Sequence, residues 1–349
     1  MKLLAVRLDA AGDVLMCSPA LHALAGHGHQ LTLLTSSAGA RAGACIAALA
    51  CMDGMRSVMR FDAPWMKASA RCEPEAVPAM AAMLRDAGFD GAVIFTSHTQ
   101  SPLPAALLCQ MAGIPLRLAH CRENPYQLLT HWVRDPEPGI FRHEVQRQLD
   151  LVATLGCDSA DPRLRIEISA DHRAAADALL RTHGLTEDDS FLLLHPGASA
   201  PSRRYPAQRW HQLVPLLSTH IPLPVVIAGD DDELALATSL CAATPGCIGL
   251  AGQTDFGVLA ALIARARLLV ACNSAPAHIA AATGTPVVDL YALTNLQHMP
   301  WQVAHRVLFH NVPCAGCLQS RCPQPGHPCL AQLSAERVLR AVQELLADR

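Results

Sequence analysis

The sequence predicts an α/β protein built from two doubly wound, Rossmann-like domains that face a central cleft. Short apolar strands alternate with helical stretches along the chain. A polar connector near residues 157–170 interrupts this alternation, which then starts again. Repeated strand–helix units form parallel sheets with helices on both faces. We therefore expect one domain over residues 1–165 and a second over residues 166–349.

Apolar periodicity locates the elements of each domain. In the first domain it predicts strands at 3–8, 31–35 and 92–96, and helices that begin near residues 18, 74, 102 and 143. In the second domain it predicts strands at 191–194, 225–228, 268–271 and 287–291, and helices at 206–218, 258–267, 274–283 and 334–346.

Composition excludes several classes of protein. The chain has 349 residues, of which 51% are hydrophobic and 16% are charged, so it can bury large cores. Its net charge of -3 gives no basis for a nucleic-acid-binding surface, and we expect no nucleic-acid partner. No apolar run is long enough to span a bilayer. Arg7, Asp9 and Asp13 interrupt the apolar start, which argues against a signal peptide.

Two common nucleotide-binding motifs are missing from the sequence. Neither the dinucleotide fingerprint G-x-G-x-x-G after the first strand nor a P-loop is present. Ordinary NAD enzymes and NTPases are therefore disfavoured.

Polar residues lie in the corner where the strand at 268–271 ends and the next helix begins. We expect Ser274 to cap this helix, with its hydroxyl accepting a backbone N–H. The exposed N–H groups and partial positive charge of a helix start bind phosphate readily, and His278 lies one turn in. The alternative is an ordinary cap beside a hydrogen-bonded histidine.

Charged loops follow two other strands of the second domain. Arg203 and Arg204 stand on a Gly/Ser-rich loop and suit a diphosphate, although a solvated basic loop is the alternative. The acidic stretch "AGDDDEL", 228–234, can accept hydrogen bonds from ribose hydroxyls, or it can cap a helix.

In the first domain, Asp9 and Asp13 follow the first strand around Gly12. A carboxylate that faces a phosphate-binding cleft is a natural general base. The alternative is a turn aspartate that caps the following helix.

Four cysteines crowd the Pro/Gly-rich loop 313–329, at Cys314, Cys317, Cys322 and Cys329. Thiolates at this density favour a structural, tetrahedral zinc or iron site, in which His327 can replace one ligand. The alternatives are reduced thiols without metal and a weaker redox role for Cys314 and Cys317. The other ten of the fourteen cysteines are expected to be single, buried, apolar residues.

Three stretches together resemble the family-9 glycosyltransferases, the lipopolysaccharide heptosyltransferase family. They are "RLDAAGDVLMCSPAL", "LHPGASAPSRRYPAQRW" and "LAGQTDFGVLAALIARARLLVACNSAPAHIAAATGTPVVDLYALTN". The resemblance implies a GT-B fold, an acceptor-binding first domain and a second domain that binds a nucleotide-diphosphate sugar. It also implies inversion at the anomeric carbon. We expect no divalent metal in catalysis, because the helix dipole and the Arg203 guanidinium can offset the charge of the leaving group.

The resemblance also assigns roles to residues. The catalytic aspartate falls on Asp13, and Arg203 occupies the position of the family's phosphate-binding lysine. The ribose-binding acid falls on Asp231 or Glu233. The expected donor-binding residues are Arg203, Arg204, Asp231, Glu233, Asn273, Ser274, Ala275 and His278.

At two positions the chain departs from the family pattern: Asn273 stands where the family has aspartate, and Ala275 where it has glycine. Both positions bear on the choice of donor. The expected function is transfer of a sugar, foremost heptose from ADP-heptose, to a hydroxyl of a glycan, glycolipid or protein acceptor. Alternatives are a sugar-nucleotide epimerase, a non-catalytic nucleotide-sugar-binding homologue and a metal-dependent redox protein.

The expected location is the cytoplasm, with peripheral association at the inner face of the plasma membrane as an option. Segment 117–134 can meet an anionic lipid-linked acceptor through Arg117, His120, Arg122, His131 and Arg134, or these residues can form a solvated surface.

Overall fold

The computed structural model describes residues 1–46, 58–66, 73–135 and 142–348. The chain divides into two units, Met1–Glu167 and Ile168–Arg349. Each unit contains a six-stranded parallel sheet.

The first unit has the sheet order β3-β2-β1-β4-β5-β6, which is the Rossmann order. Its strands are β1 (Lys2–Arg7), β2 (Gln30–Thr35), β3 (Val58–Arg60), β4 (Gly91–Ile94), β5 (Leu116–Cys121) and β6 (His131–Arg134). Its helices are α1 (Ala11–Met16), α2 (Ser18–Gly26), α3 (Ser37–Ala44), α4 (Ala76–Ala87), α5 (Leu103–Met111) and α6 (Glu144–Ala153).

The second unit repeats this topology with the order β12-β11-β10-β7-β8-β9. Its strands are β7 (Leu192–His195), β8 (Val225–Ile227), β9 (Ile248–Gly249), β10 (Leu268–Cys272), β11 (Val287–Leu290) and β12 (His305–Leu308). Its helices are α7 (Ala170–Thr182), α8 (Ala207–His220), α9 (Leu234–Ala243), α10 (Phe256–Arg265), α11 (Ala275–Thr283), α12 (Pro328–Ala331) and α13 (Ala335–Ala347). Short 3-10 helices occupy Pro201–Arg203, Asp231–Glu233 and Leu296–His298.

Buried aliphatic runs explain why the central strands form. Val270 of β10 lies in register with Leu194 of β7 and Val288 of β11, and all three side chains are fully buried. They belong to a core that also contains Trp210 of α8 and Val338 of α13. Complete burial of an aliphatic side chain of this size contributes about 1.5–3 kcal/mol.

Each sheet reverses its strand order at one place. The reversal lies between β1 and β4 in the first unit and between β7 and β10 in the second. Open parallel sheets bind ligands at the carboxyl ends of the strands at such a switch point. The loops that follow these four strands are therefore the places to look for a site.

The predicted strands and helices are present, with ends displaced by a few residues. The connector forms no strand and leads into α7, which Ser169 caps by accepting the His172 N–H. Strands β3, β5, β6, β9 and β12 were not predicted. Strand β9 has only two residues, and β12 begins with His305 and Arg306. No helix in the described part of the chain is long and apolar enough to cross a membrane.

The expectation of single, buried cysteines holds for most of the described ones. Cys17, Cys45, Cys109, Cys121, Cys157 and Cys272 are buried. It is wrong for Cys241 and Cys247, which are partly exposed and in contact with each other. Cys51 and Cys72 lie outside the described residues.

Candidate functional site

At the switch point of the second unit, the loop after β7 meets the corner after β10. Arg203 ends the 3-10 helix of the β7 loop, and its Nη1 donates to the backbone oxygen of Asn273 at 3.3 Å. Its Nη2 donates to Ser199 Oγ at 2.7 Å. Two residues predicted from separate stretches are thus joined at one strand-end corner.

Ser274 does not cap helix α11 as predicted, because its side chain donates instead of accepting. Its Oγ donates to the backbone oxygens of Gly197 and Cys272, both at 3.1 Å. Ser274 therefore ties the β7 loop to the β10 corner. Its hydroxyl accepts no hydrogen bond from the N–H groups at the start of the helix. Ser274 and Ala275 are both partly exposed.

Two histidines lie beneath the corner. His195 ends β7 and His278 lies one turn into α11, each with about 6% of its surface exposed. Burial lowers the pKa of His195, so its imidazole is neutral near pH 7. Because His278 is almost completely buried, its side chain is not exposed at the carboxyl ends of the strands.

The acidic loop after β8 separates into a buried and an exposed part. Glu233 is buried, and its Oε2 accepts the Asp230 N–H at 3.1 Å in a capping box. Burial raises the pKa of Glu233, and Arg204, with Nη2 3.4 Å from Glu233 Oε1, opposes that rise. Asp231 and Asp232 are exposed. Glu233 thus organises the loop, while Asp231 remains accessible to a ligand.

Arg204 contacts residues of this acidic loop, whereas Arg203 contacts the corner after β10. Besides Glu233, Arg204 contacts Asp232 at 3.4 Å and donates from Nε to the Ala198 oxygen at 2.8 Å. The sequence prediction treated the two guanidiniums as one diphosphate-binding pair. The structure gives them different partners.

Asp289 is a charged residue of this unit that the sequence argument passed over. It lies on β11 in register with Ala271 of β10, its side chain is fully buried, and neither carboxyl oxygen has a hydrogen-bond partner among the described residues. Burial raises its pKa well above the ordinary value, and the nearby charge of Arg203 opposes this. The available signal was one acid inside the apolar run "VVDLY".

At the switch point of the first unit, Asp13 lies in the first turn of α1 beside a buried cation. Arg7 Nη2 is 3.1 Å from Asp13 Oδ1, and Arg7 Nε is 3.0 Å from Asp9 Oδ2. The side chains of Asp9 and Asp13 are 15% and 23% exposed. Asp13 caps neither α1 nor α2, since the N-cap residues are Ala10 and Cys17. Its carboxylate is held in place and still reaches solvent.

Arg7 and Gln100 complete this arrangement, and the sequence argument assigned neither a role. Gln100 follows β4, and its Nε2 donates to Asp9 Oδ1 at 2.6 Å. Arg7 could be found from its position two residues before Asp9 at the end of a buried strand. Gln100 lies 91 positions from Asp9 and carries no such local signal.

The basic residues of segment 117–134 fall into two groups. Arg117 donates to the backbone oxygens of Ile114 and Leu128 at 2.6 and 2.7 Å, and His120 is buried against the Arg147 oxygen at 2.9 Å. Both are therefore structural. Arg122, His131 and Arg134 are exposed, with the Arg134 guanidinium 4.5 Å from the centre of the Trp132 ring.

A family model decides the relationship of this chain to known proteins. The model described as glycosyltransferase family 9 (heptosyltransferase) matches residues 79–327. The chain belongs to glycosyltransferase family 9.

Curated members of family 9 share limited identity with the chain. Lipopolysaccharide core heptosyltransferase OpsX of Haemophilus influenzae is 27% identical over 179 residues, which are 50% of this chain and 48% of that protein. Lipopolysaccharide heptosyltransferase 3 of Escherichia coli K12 is 30% identical over 168 residues, or 46% of each. The chain spans about half the length of these curated relatives.

Solved family-9 structures cover the whole chain. A family-9 glycosyltransferase from Veillonella parvula has a TM-score of 0.77 at 20% identity, covering 100% of this chain and 97% of that one. The Escherichia coli ADP-heptose heptosyltransferase II has a TM-score of 0.72 at 20% identity, covering 100% and 99%. The predicted fold class, two Rossmann-like units of the GT-B type, is confirmed.

The cysteine-rich loop of this family-9 chain encloses a small cavity. Cys314, Cys317, Cys322 and Cys329 line it together with His327, and its volume of about 20 Å³ holds roughly one water molecule. Across the described ranges, no three His, Cys, Asp or Glu side chains are placed to hold a metal ion. The cysteines therefore share a cavity without forming the predicted tetrahedral ligand set.

Proposed function

We propose that this chain is an inverting glycosyltransferase that moves a sugar, heptose from ADP-heptose, to a hydroxyl of a lipopolysaccharide-type glycan or another surface glycan or glycoprotein. Its membership of family 9 supports the reaction class. The observation that carries the proposal is the joining of Arg203 to Asn273 at the start of α11.

The donor diphosphate is assigned to this corner on electrostatic grounds. The start of a helix carries about half a positive charge and binds phosphate through backbone N–H groups. The Ser274 hydroxyl bonds the Gly197 and Cys272 oxygens, so it does not compete with phosphate for the helix N–H groups. Arg203 adds a cation that can pair with phosphate oxygens. Together they offset the charge that grows on the departing nucleoside diphosphate.

The ribose-binding acid is assigned to Asp231. Asp231 is exposed in the loop after β8, whereas Glu233 is buried and engaged with Asp230 and Arg204. A buried carboxylate whose two oxygens already face Asp230 and Arg204 is less accessible to a ligand hydroxyl than an exposed one. Asp231 therefore fits the ribose role better.

Asp13 is assigned as the general base. The acceptor oxygen attacks the anomeric carbon, the bond from that carbon to the diphosphate oxygen breaks, and the hydroxyl proton passes to Asp13. One displacement of this kind inverts the anomeric carbon. The Arg7 ion pair holds the Asp13 carboxylate in a fixed orientation. Because Arg203 and the helix start supply positive charge to the leaving group, the assignment needs no divalent cation.

The acceptor is proposed to be an anionic glycan, glycolipid or glycoprotein precursor at the cytoplasmic face of a membrane. The exposed arginines Arg122 and Arg134, with the exposed His131 between them in the sequence, support this class. Arg117 and His120 are excluded from the acceptor surface because their side chains bond the backbone.

A structural zinc or iron ion is proposed for the cysteine-rich loop. Four thiols line one cavity, and the buried His327 Nε2 has no hydrogen-bond partner in the described part of the protein. Binding requires rotation of these side chains, since they do not converge. Elemental analysis of the purified protein should find about one metal per chain, and Cys314→Ser with Cys317→Ser should lose it. A stoichiometry near zero in the native chain contradicts the metal.

A donor panel tests the reaction. ADP-, GDP-, UDP- and dTDP-sugars are compared by thermal shift, because a ligand that binds the folded state raises the melting temperature. Nucleoside diphosphate release is then measured with and without acceptor. ADP-heptose should give the largest shift and acceptor-dependent release. Binding without release indicates a non-catalytic homologue, and conversion of the donor without acceptor indicates an epimerase.

A further inference from the structure

Two cysteine side chains touch at the edge of the second sheet. Cys241 lies in the last turn of α9, and Cys247 immediately precedes β9. Their sulfur atoms are 3.2 Å apart. A disulfide needs roughly 2.05 Å between the sulfurs, so a small side-chain movement is enough to join them.

A tight turn holds the two thiols together. The turn Thr244-Pro245-Gly246-Cys247 is closed by the Cys247 N–H, which donates to the Thr244 oxygen at 3.2 Å. Gly246 has φ of 80°, which proline at the second and glycine at the third position of a type II turn allow. The Thr244 N–H donates to the Cys241 oxygen at 3.3 Å, which fixes the start of the turn to the end of α9.

Both thiols are partly exposed, so a small reagent can reach them. They are not equivalent. Burial raises the pKa of the Cys247 thiol, and its contact with Cys241 raises it further. A thiol with a raised pKa is a poor first nucleophile at neutral pH, since the thiolate is the reactive form. We therefore assign the first attack to Cys241.

We propose that Cys241 and Cys247 are a reversible modification site that closes an intramolecular disulfide with a low-molecular-weight disulfide as oxidant. The Cys241 thiolate attacks one sulfur of the oxidant, forms a mixed disulfide and releases the first small thiol. The Cys247 thiolate then attacks Cys241 Sγ and releases the second. The protein loses two electrons and two protons, and the oxidant becomes two thiols.

The position of the pair connects it to the acidic loop. Helix α9 directly follows the 3-10 helix Asp231–Glu233, and β9 leads to Gly252, whose N–H donates to the Gly229 oxygen at 2.9 Å. A disulfide between Cys241 and Cys247 joins the C-terminal end of α9 to the start of β9. This is the end of α9 opposite the acidic loop. In a reducing compartment such a bond is transient, which is typical of redox-sensing pairs.

Tryptic digestion separates Cys241 and Cys247 from every other cysteine of the sequence. No lysine or arginine lies between Arg209 and Arg265, so trypsin gives a peptide, 210–265, with Cys241 and Cys247 as its only cysteines. The reduced full chain is incubated with oxidised glutathione, alkylated without reduction and digested. The peptide should change from two alkyl groups to none, with the loss of two hydrogen atoms, and dithiothreitol should restore both thiols.

Single variants separate this pathway from general oxidation. Cys247→Ser should stop at a glutathione adduct on Cys241, whereas Cys241→Ser should form an adduct on Cys247 at least about tenfold more slowly. The control Cys157→Ser, a buried cysteine of the first unit, should close the disulfide at the native rate. If peptide 210–265 of the native chain keeps two alkyl groups while an unfolded sample loses both, the site is refuted. Because the readout is chemical, this test is independent of glycosyl transfer.

Discussion

Arg203 and Asn273 meet where the strand order of the second sheet reverses, with Arg203 Nη1 3.3 Å from the Asn273 backbone oxygen. A second bond to Ser199 fixes the other end of the guanidinium. The cation is thus held at the start of α11 before any ligand arrives. Preorganised charge of this kind needs little rearrangement when a diphosphate binds.

Arg203→Ala should weaken ADP binding about ten- to a hundredfold, as expected when a charge-assisted hydrogen bond is lost. If Arg203 stabilises the leaving group as proposed, the rate should fall as well. Calorimetric titration with ADP and a nucleotide-release assay measure the two effects. Arg209→Ala is the control, since Arg209 bonds the Ala331 oxygen instead of the corner. Native affinity in Arg203→Ala contradicts the phosphate contact.

Asp13→Asn should lower turnover roughly 100-fold or more, as for loss of a general base, while ADP affinity stays near native. The amide keeps the size of the side chain but cannot take the acceptor proton. Steady-state release assays and ADP titration separate the two quantities. Gln100→Ala is a useful comparison because it removes a contact to Asp9 and leaves the Asp13 carboxylate unchanged. Full turnover in Asp13→Asn removes this residue from the role.

Arg7→Met should lower the free energy of unfolding by about 3–5 kcal/mol, because it leaves two carboxylates without their buried cation. Arg7 is almost completely buried between Asp9 and Asp13. Urea unfolding measures the change. The matched control is Arg163→Ala, which removes an arginine with a 71% exposed side chain from its pair with Asp161 and should leave stability nearly unchanged. Equal effects of both substitutions would argue against a structural role for the Arg7 ion pairs.

Asp289→Asn should stabilise the protein increasingly as the pH rises. Burial raises the pKa of Asp289 in the folded state, so the folded carboxyl keeps its proton where the unfolded one ionises. The native chain therefore loses stability above about pH 4, the ordinary aspartate pKa, and the asparagine variant does not. Urea unfolding between about pH 4 and pH 7 measures the widening difference. Asp232→Asn, at an exposed position, serves as the control. A difference that stays constant with pH contradicts an uncharged Asp289.

The corner after β10 was predictable because its signals are local. A buried apolar run, polar residues at its end and an alanine-rich helix follow one another in the sequence, and the structure reproduces that order at Leu268–Cys272 and Ala275–Thr283. The roles assigned to Asp13, Arg203 and their companions stay predictions. What the pattern shows is where they lie along the fold.

The features that escaped prediction depend on distant partners. Whether the Ser274 hydroxyl accepts or donates is decided by Gly197, 77 positions away. Arg204 pairs with Glu233 whereas Arg203 bonds the Asn273 oxygen, because the loops after β7 and β8 are neighbours in the sheet. No local periodicity contains that information. The spacing of the four cysteines in loop 313–329 likewise predicted how densely the thiols lie, whereas the orientation of their side chains depends on the fold.

The carboxyl group of Glu233 lies directly against the backbone of Gly197. A β-carbon at position 197 would stand 2.7 Å from Glu233 Cδ, closer than side-chain atoms normally approach. A side chain at position 197 therefore requires the Glu233 carboxyl group to move away from its contacts with Asp230 and Arg204. Ser199 and Asp231 are exposed in the same pair of loops, so substitutions aimed at the proposed donor site should be tolerated better there than at position 197.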